Sequence, residues 1–166
     1  KTIVKDVSAV AGKSVTLQLF DVDDPALAGG ILTGLCLDAV EVTASAVFPS
    51  PAILTLKDEP AEERLFSHLM RSLCPVTGQP DWATVWVHYK GMAIEHDSLL
   101  RYIIAYREHQ EFHEQCVERM FCDLLQTSNA EFLHVQAFYT RRGGLDISPF
   151  RSTSMSASPH PRLNRQ

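Results

Sequence analysis

The stretch Trp82-Ala83-Thr84-Val85-Trp86-Val87-His88-Tyr89 sets the fold class. Val85, Val87 and Tyr89 alternate with Thr84, Trp86 and His88, a period of two that turns one set of side chains toward a core and the other toward the opposite face of a strand. Immediately before it lies a proline-bracketed loop, Cys74-Pro75-Val76-Thr77-Gly78-Gln79-Pro80-Asp81. One step further out, Glu62 to Leu73 carries Leu65, Phe66, Leu69, Met70 and Leu73 in a 3, 4, 7 pattern and predicts an amphipathic helix. Cys74 is thereby expected where a helix hands over to a strand. On the other side, Asp97 to Gln126 predicts a long helical region broken near His109, with Leu100, Ile103, Ile104, Phe112, Cys116, Met120, Leu124 and Leu125 as core positions, and Glu131 to Tyr139 predicts a closing strand.

At the N-terminal end, Ile3, Val4, Val7 and Val10 predict a short helix over Thr2 to Ala11 that stops at Gly12. Val15, Leu17 and Leu19 alternate with Thr16, Gln18 and Phe20, and a second β-rich stretch runs from Ile31 to Phe48, so a hairpin with a long connection through Asp21 to Gly30 is expected. After residue 147 the chain becomes rich in Ser, Pro and Arg, which predicts an extended tail over 148–166. The order of strands, paired helices and strand implies an α+β fold, an antiparallel sheet with helices on one face. Residues 1–147 then make a single module, with 1–60 supplying a linker-side helix and strands and 61–147 the core. An exposed sheet edge favours assembly with another chain.

A chain of 166 residues with 45% hydrophobic content suits one domain with a sizeable core. No apolar stretch approaches the roughly 18 residues of a membrane helix, and Lys1 to Lys5 lacks the pattern of a signal peptide, so a cytoplasmic protein with no membrane partner is expected. The formal charge of -5 argues against nucleic-acid binding through a broad basic surface. Arg141, Arg142, Arg151, Arg162 and Arg165 nevertheless gather positive charge toward the C-terminus. Four cysteines, at 36, 74, 116 and 122, have no CxxC spacing and read as reduced thiols.

Three groups of residues carry chemistry. Cys74 offers a nucleophile and Asp81 a proton acceptor and donor on the same short loop; an ordinary thiol is only a few per cent ionised at neutral pH and needs such help. The plain alternative is a buried cysteine and a turn-capping aspartate. His113 and Glu114 suit a planar polar ligand, because a carboxylate accepts paired N–H donors of the kind a purine-like ring presents. His109, His113 and Cys116 also fall at i, i+4 and i+7, the spacing of a metal-ligand face, but no fourth ligand accompanies them. Arg141-Arg142-Gly143-Gly144 reads either as a phosphate-contacting loop or as a solvated turn at a strand end.

Three motifs together resemble those of the QueF-type NADPH-dependent 7-cyano-7-deazaguanine reductases: Cys-x(4)-Gln-Pro-Asp at Cys74 to Asp81, Phe-His-Glu-Gln-Cys-Val-Glu-Arg at Phe112 to Arg119, and Tyr-Thr-Arg-Arg-Gly-Gly-Leu-Asp-Ile at Tyr139 to Ile147. The segment Asp6 to Phe20 is similar to the middle of the family's long, two-module form. The resemblance implies a tunnelling fold, whose sheets assemble into oligomeric barrels, and reduction of a nitrile to an amine with NADPH in the making of the queuosine base of tRNA. It implies Cys74 as the nucleophile forming a thioimide, Asp81 as the proton manager, His113 as a catalytic shield, Glu114 and Phe112 as substrate contacts, and Arg141, Arg142, Gly143 and Gly144 as cofactor contacts, with no metal. The family's Lys-bearing cofactor signature has as its counterpart Glu95-His96-Asp97-Ser98-Leu99-Leu100-Arg101-Tyr102, where both lysines are gone and Asp97 reverses one charge. That departure implies the C-terminal module of a two-module enzyme, dependent on an N-terminal module or partner chain for the cofactor. Two rival readings are a zinc-dependent cyclohydrolase-like hydrolase using His109, His113 and a cysteine, and a non-catalytic purine- or pterin-binding module.

Overall fold

The computed structural model describes residues 2–43, 48–164 and 166. Its elements run α1 (Thr2–Ala11), β1 (Leu35–Cys36), β2 (Leu56–Leu73), β3 (Pro80–Ile94), α2 (His96–Ile104), α3 (His113–Ser128), β4 (Phe132–Tyr139) and β5 (Phe150–Ser152), with short 3-10 turns between several of them. The five strands form one sheet in sequence order. Only the β1–β2 pairing is parallel; β2, β3, β4 and β5 follow one another antiparallel. The fold is α+β, and the helices α2 and α3 pack on one face of the sheet.

β3 follows its period. Val85, Val87 and Tyr89 are buried at 0%, 1% and 0% exposure and meet Leu133, Val135 and Ala137 of β4 and the apolar stripes of both helices. The opposite residues, Trp86 and Phe138, form a smaller cluster on the second face with Leu163, Phe66 and Leu32. Both faces of the central strands are thus covered, one by helices and the other in part by the chain's own C-terminal stretch.

β2 corrects the sequence reading: Glu62 to Leu73 is strand, not helix. Its register opposite β3 runs Leu65 to Val87 and Ser67 to Val85, then Met70 to Ala83 and Ser72 to Asp81. Three residues on β2 therefore span two on β3, a β-bulge at His68 and Leu69. The helix-facing positions are Leu65, Ser67, Met70 and Ser72, all buried, and two of them are polar. The bulge and the use of both sheet faces turned a period of two into an apparent period near 3.6. Cys74 consequently sits in a strand-to-strand hairpin loop.

The N-terminal expectations also need correction. Residues 15–20 form no strand, and Leu17 and Leu19 are 47% and 87% exposed; an alternating segment gains nothing from extension without a partner edge. Between Ile31 and Phe48 the only strand among the described residues is β1; residues 44–47 lie outside them, as does Arg165. α1 forms as expected but buries no residue. The Ser/Pro/Arg-rich segment is packed: β5 extends the sheet, Gln136 and His160 exchange side-chain and backbone hydrogen bonds at 2.8 and 3.2 Å, and Leu163 is 6% exposed. No helix among the described residues is long and apolar enough to cross a membrane.

Candidate active site

The β2–β3 connection is a tight loop that closes on itself. The Cys74 N–H donates to the Gln79 carbonyl at 2.9 Å and the Gly78 N–H donates to the Cys74 carbonyl at 2.8 Å, with Gly78 at φ 70°, the left-handed conformation only glycine adopts freely. This closure directs polar groups of the loop at the Cys74 sulfur. Hydrogen bonds from the Thr77 hydroxyl and then from the backbone of Thr77 and Val76 draw the thiol down to about 7, with the Arg142 charge adding a smaller pull against a modest opposing effect of burial. A thiol at that value is about half ionised at neutral pH.

Asp81 follows on the second residue of β3, buried to 3% exposure. Its carboxylate is shared between two elements: Oδ2 lies 3.0 Å from His113 Nε2 at the start of α3, and Oδ1 lies 2.7 Å from Arg142 Nε in the turn after β4. A buried carboxylate needs such partners, since an uncompensated charge in the interior costs several kcal/mol. His113 is itself 8% exposed and lies flat on the Tyr139 ring, centroids 3.8 Å apart and planes within 14°. Four segments are thereby joined at one point: the hairpin loop, the start of β3, the first turn of α3 and the end of β4.

These residues line a cavity of about 210 Å³ together with Pro75, Glu111, Phe112, Glu114 and Ile147. Phe112, 53% exposed, and the exposed Glu114 stand at its rim, where α3 begins. The helix start is fixed by Gln115, whose side-chain oxygen accepts from the Phe112 N–H at 3.3 Å. A half-exposed ring beside an exposed rim carboxylate is suited to grip a flat, polar ligand whose reactive end reaches the thiol.

Five residues marked from the sequence, Cys74, Asp81, Phe112, His113 and Glu114, share this cavity, and Arg142 joins them. Arg142 is engaged with the Asp81 carboxylate, while Arg141 is exposed and meets Asp146 at 3.5 Å and the Gln166 carbonyl at 3.4 Å. Gly143 and Gly144, at φ 55° and 82°, shape the turn closed by the Arg142–Leu145 hydrogen bonds and do not line the cavity. The three metal-spaced residues do not converge. His109 precedes α3 and pairs with Glu111 at 2.7 Å, His113 is held by Asp81, and burial pushes the Cys116 thiol up to about 11. Glu111 was not singled out by sequence, although it directly precedes Phe112; its carboxyl is held below the usual range by the Arg119 hydrogen bond, and by His109.

A hairpin thiol beside a buried, ion-paired aspartate is carried here on an α+β sheet backed by paired helices, the architecture of a T-fold module. The fold matches that of the archaeosine synthase QueF-Like in its apo form, with a TM-score of 0.50 at 15% sequence identity over 62% of this chain and 99% of that one. The family model of the QueF-like proteins matches residues 80–158. Along essentially its whole length the chain is similar to proteins named NADPH-dependent 7-cyano-7-deazaguanine reductase: 49% identical to that of Chromohalobacter salexigens over 99% of this chain, 46% to that of Colwellia psychrerythraea over 100%, and 48% to that of Acinetobacter baumannii over 100%. The chain is thus similar to QueF-like proteins over residues 80–158 by the family model and over nearly all its length by these relatives. It spans 60%, 61% and 62% of the length of those three relatives.

Proposed function

We propose that this chain is the nucleophile-bearing half of an NADPH-dependent 7-cyano-7-deazaguanine reductase, serving queuosine formation in the cytoplasm. The observation that carries the reading is the convergence of the lowered Cys74 thiol with the Asp81, His113 and Arg142 group on one cavity. A nitrile accepts hydride poorly in water. Addition of the Cys74 thiolate to the nitrile carbon forms a C–S bond, breaks one C–N π bond and places the electron pair on nitrogen. The nitrogen takes a proton from the Asp81 and His113 pair, and the product is a thioimide with a C=N group open to reduction. Glu114 accepts N–H donors from the ring edge and Phe112 covers its face. Nothing leaves in the addition.

NADPH, when bound, supplies the hydrides for both reductions. The arginines marked for it are each paired with a carboxylate, Arg142 with Asp81 and Arg141 with Asp146. The segment standing where the family has its lysines is likewise internally paired, His96 with Glu63 at 2.9 Å and Asp97 with Arg101 at 3.1 Å. These residues do not make a free cradle for phosphates, so the cofactor is assigned to an N-terminal module or a partner chain. Assembly of further copies through sheet edges is part of the same reading.

Intact-protein mass spectrometry after incubation with 7-cyano-7-deazaguanine tests it. Wild type should gain the full mass of the substrate, and Cys74→Ala should gain nothing. Unmodified wild type in a folded sample that has also been given an N-terminal module overturns the proposal.

A further inference from the structure

On the edge of the sheet away from the thiol loop, β1 and the 3-10 turn that follows it place Cys36 and Asp38 beside His68 of β2. One ligand atom from each of these three side chains lies within 4.8 Å of the other two, the only such convergence of three His, Cys, Asp or Glu residues among the described residues. All three are partly buried, so they are shielded from bulk water yet accessible.

The site is built. The Asp38 carboxylate is fixed by the Ser67 hydroxyl at 2.7 Å and by the His68 N–H, 3.2 Å from each oxygen, so its orientation is set by the β-bulge itself. His68 keeps the face of Phe66, its ring 5.4 Å from that ring, and stands where the bulge begins. Its Nδ1 lies 2.8 Å from the Thr84 hydroxyl, which orients the ring and leaves Nε2 outside that bond. An imidazole held through one nitrogen by a neighbouring polar group is the arrangement that prepares the other nitrogen for a metal.

We propose that Cys36, Asp38 and His68 bind a thiophilic divalent cation of the zinc class. A thiolate, an imidazole and a carboxylate are the donor set such an ion takes, and bonds of about 2.0–2.3 Å in tetrahedral geometry space ligand atoms roughly 3.5 Å apart. Three protein donors leave a fourth position for water, and His68 also borders a cavity of about 220 Å³ through which an ion can enter. The ion would tie β1, a strand of two residues, to β2 and secure the parallel edge of the sheet.

Cobalt(II) titration of the whole chain, read by the thiolate-to-cobalt charge-transfer absorption, tests this site directly. Wild type and Cys74→Ser should both show a band that saturates at one ion per chain and disappears on adding zinc. Cys36→Ser should lose it, and Asp38→Asn and His68→Gln should weaken binding at least about tenfold. Thr84→Val, which removes only the group behind the ring, should weaken it by about 10–100-fold. No saturable band in wild type, or a band that survives Cys36→Ser or vanishes in Cys74→Ser, overturns the proposal. Should Cys36→Ser fail to fold by circular dichroism, zinc must instead slow alkylation of Cys36 in wild type, mapped by peptide mass; unslowed labelling also overturns it.

Discussion

Two thiols, one in the cavity that His113 lines and one buried beside Tyr139, show how far a fold can separate one residue type from itself. Cys74, in the hairpin loop, meets donors from Thr77 and Val76 and is drawn to about 7; Cys116, three residues into the interior of α3, is fully buried and is pushed to about 11. Tyr139 and Ser72 face Cys116, yet neither hydroxyl completes a hydrogen bond of good geometry, so desolvation prevails there. At Cys74 the donors prevail because the loop carries them on its own backbone. The direction of each shift is therefore set by the loop closure and the burial around the sulfur and not by the cysteine itself.

The sharpest break of the comparison is substitution of the loop thiol. Cys74→Ala should abolish substrate adduct formation and the fast phase of alkylation by iodoacetamide, whereas Cys116→Ala should leave both in place. Loss of the fast phase in Cys116→Ala would assign reactivity to the wrong sulfur.

Next in size is the pH response. Only thiolate reacts, so labelling must rise with pH through each thiol's own value: half-maximal near pH 7 for Cys74, still climbing above pH 10 for Cys116. At pH 7 the ionised fractions differ by a factor on the order of 10³–10⁴. Site-resolved alkylation from pH 5 to 11 measures this, and a Cys74 midpoint near the ordinary 8.5–9 would remove the argument for loop activation. Thr77→Ala should move that midpoint upward and slow labelling at pH 7 by roughly tenfold, since the Thr77 hydroxyl lowers the thiol more than any other neighbouring group.

How much of this could be read from residues alone divides along the same line between local and distant. The Cys74 loop, Asp81 and the Phe112-His113-Glu114 helix start are short contiguous segments whose chemistry is visible without a fold. Arg142 was legible as a cation but not as the partner of Asp81, because that pairing depends on β3 and β4 lying side by side. β3 and β4 follow their alternation, and α2 and α3 their stripes. β2 misleads because its inward face includes Ser67 and Ser72, its outward face includes Phe66, and the bulge shifts the phase between them. The stretch over 15–20 has the alternation of a strand without an edge to pair with.

Removal of the arginine sharpens the comparison from the Asp81 side. Arg142→Gln leaves the buried carboxylate with His113 as its remaining ring partner and removes a small positive influence on Cys74. Because Arg142 is partly solvent-exposed, the cost should be about 1–3 kcal/mol rather than that of a fully buried pair, read as a lowered denaturation midpoint with unchanged slope. The Cys74 midpoint should rise by less than in Thr77→Ala.

The smallest effect is the most discriminating. Cys116→Ser keeps the shape of the side chain at a slightly smaller volume and adds a stronger hydroxyl donor beside Tyr139 and Ser72, whose buried hydroxyls have no hydrogen-bond partner among the described residues. The new donor offsets part of its own desolvation by engaging one of them, so stability should change by no more than about 1 kcal/mol. Tyr139 is also the ring on which His113 lies, so any shift of that ring would pass to His113 and on to Asp81. If the two thiols are set independently by their own surroundings, the Cys74 labelling rate at pH 7 should change less than twofold. A larger change, with the fold intact by circular dichroism, would show that the stacked Tyr139 and His113 pair couples them, and that the buried thiol helps to position the reactive site.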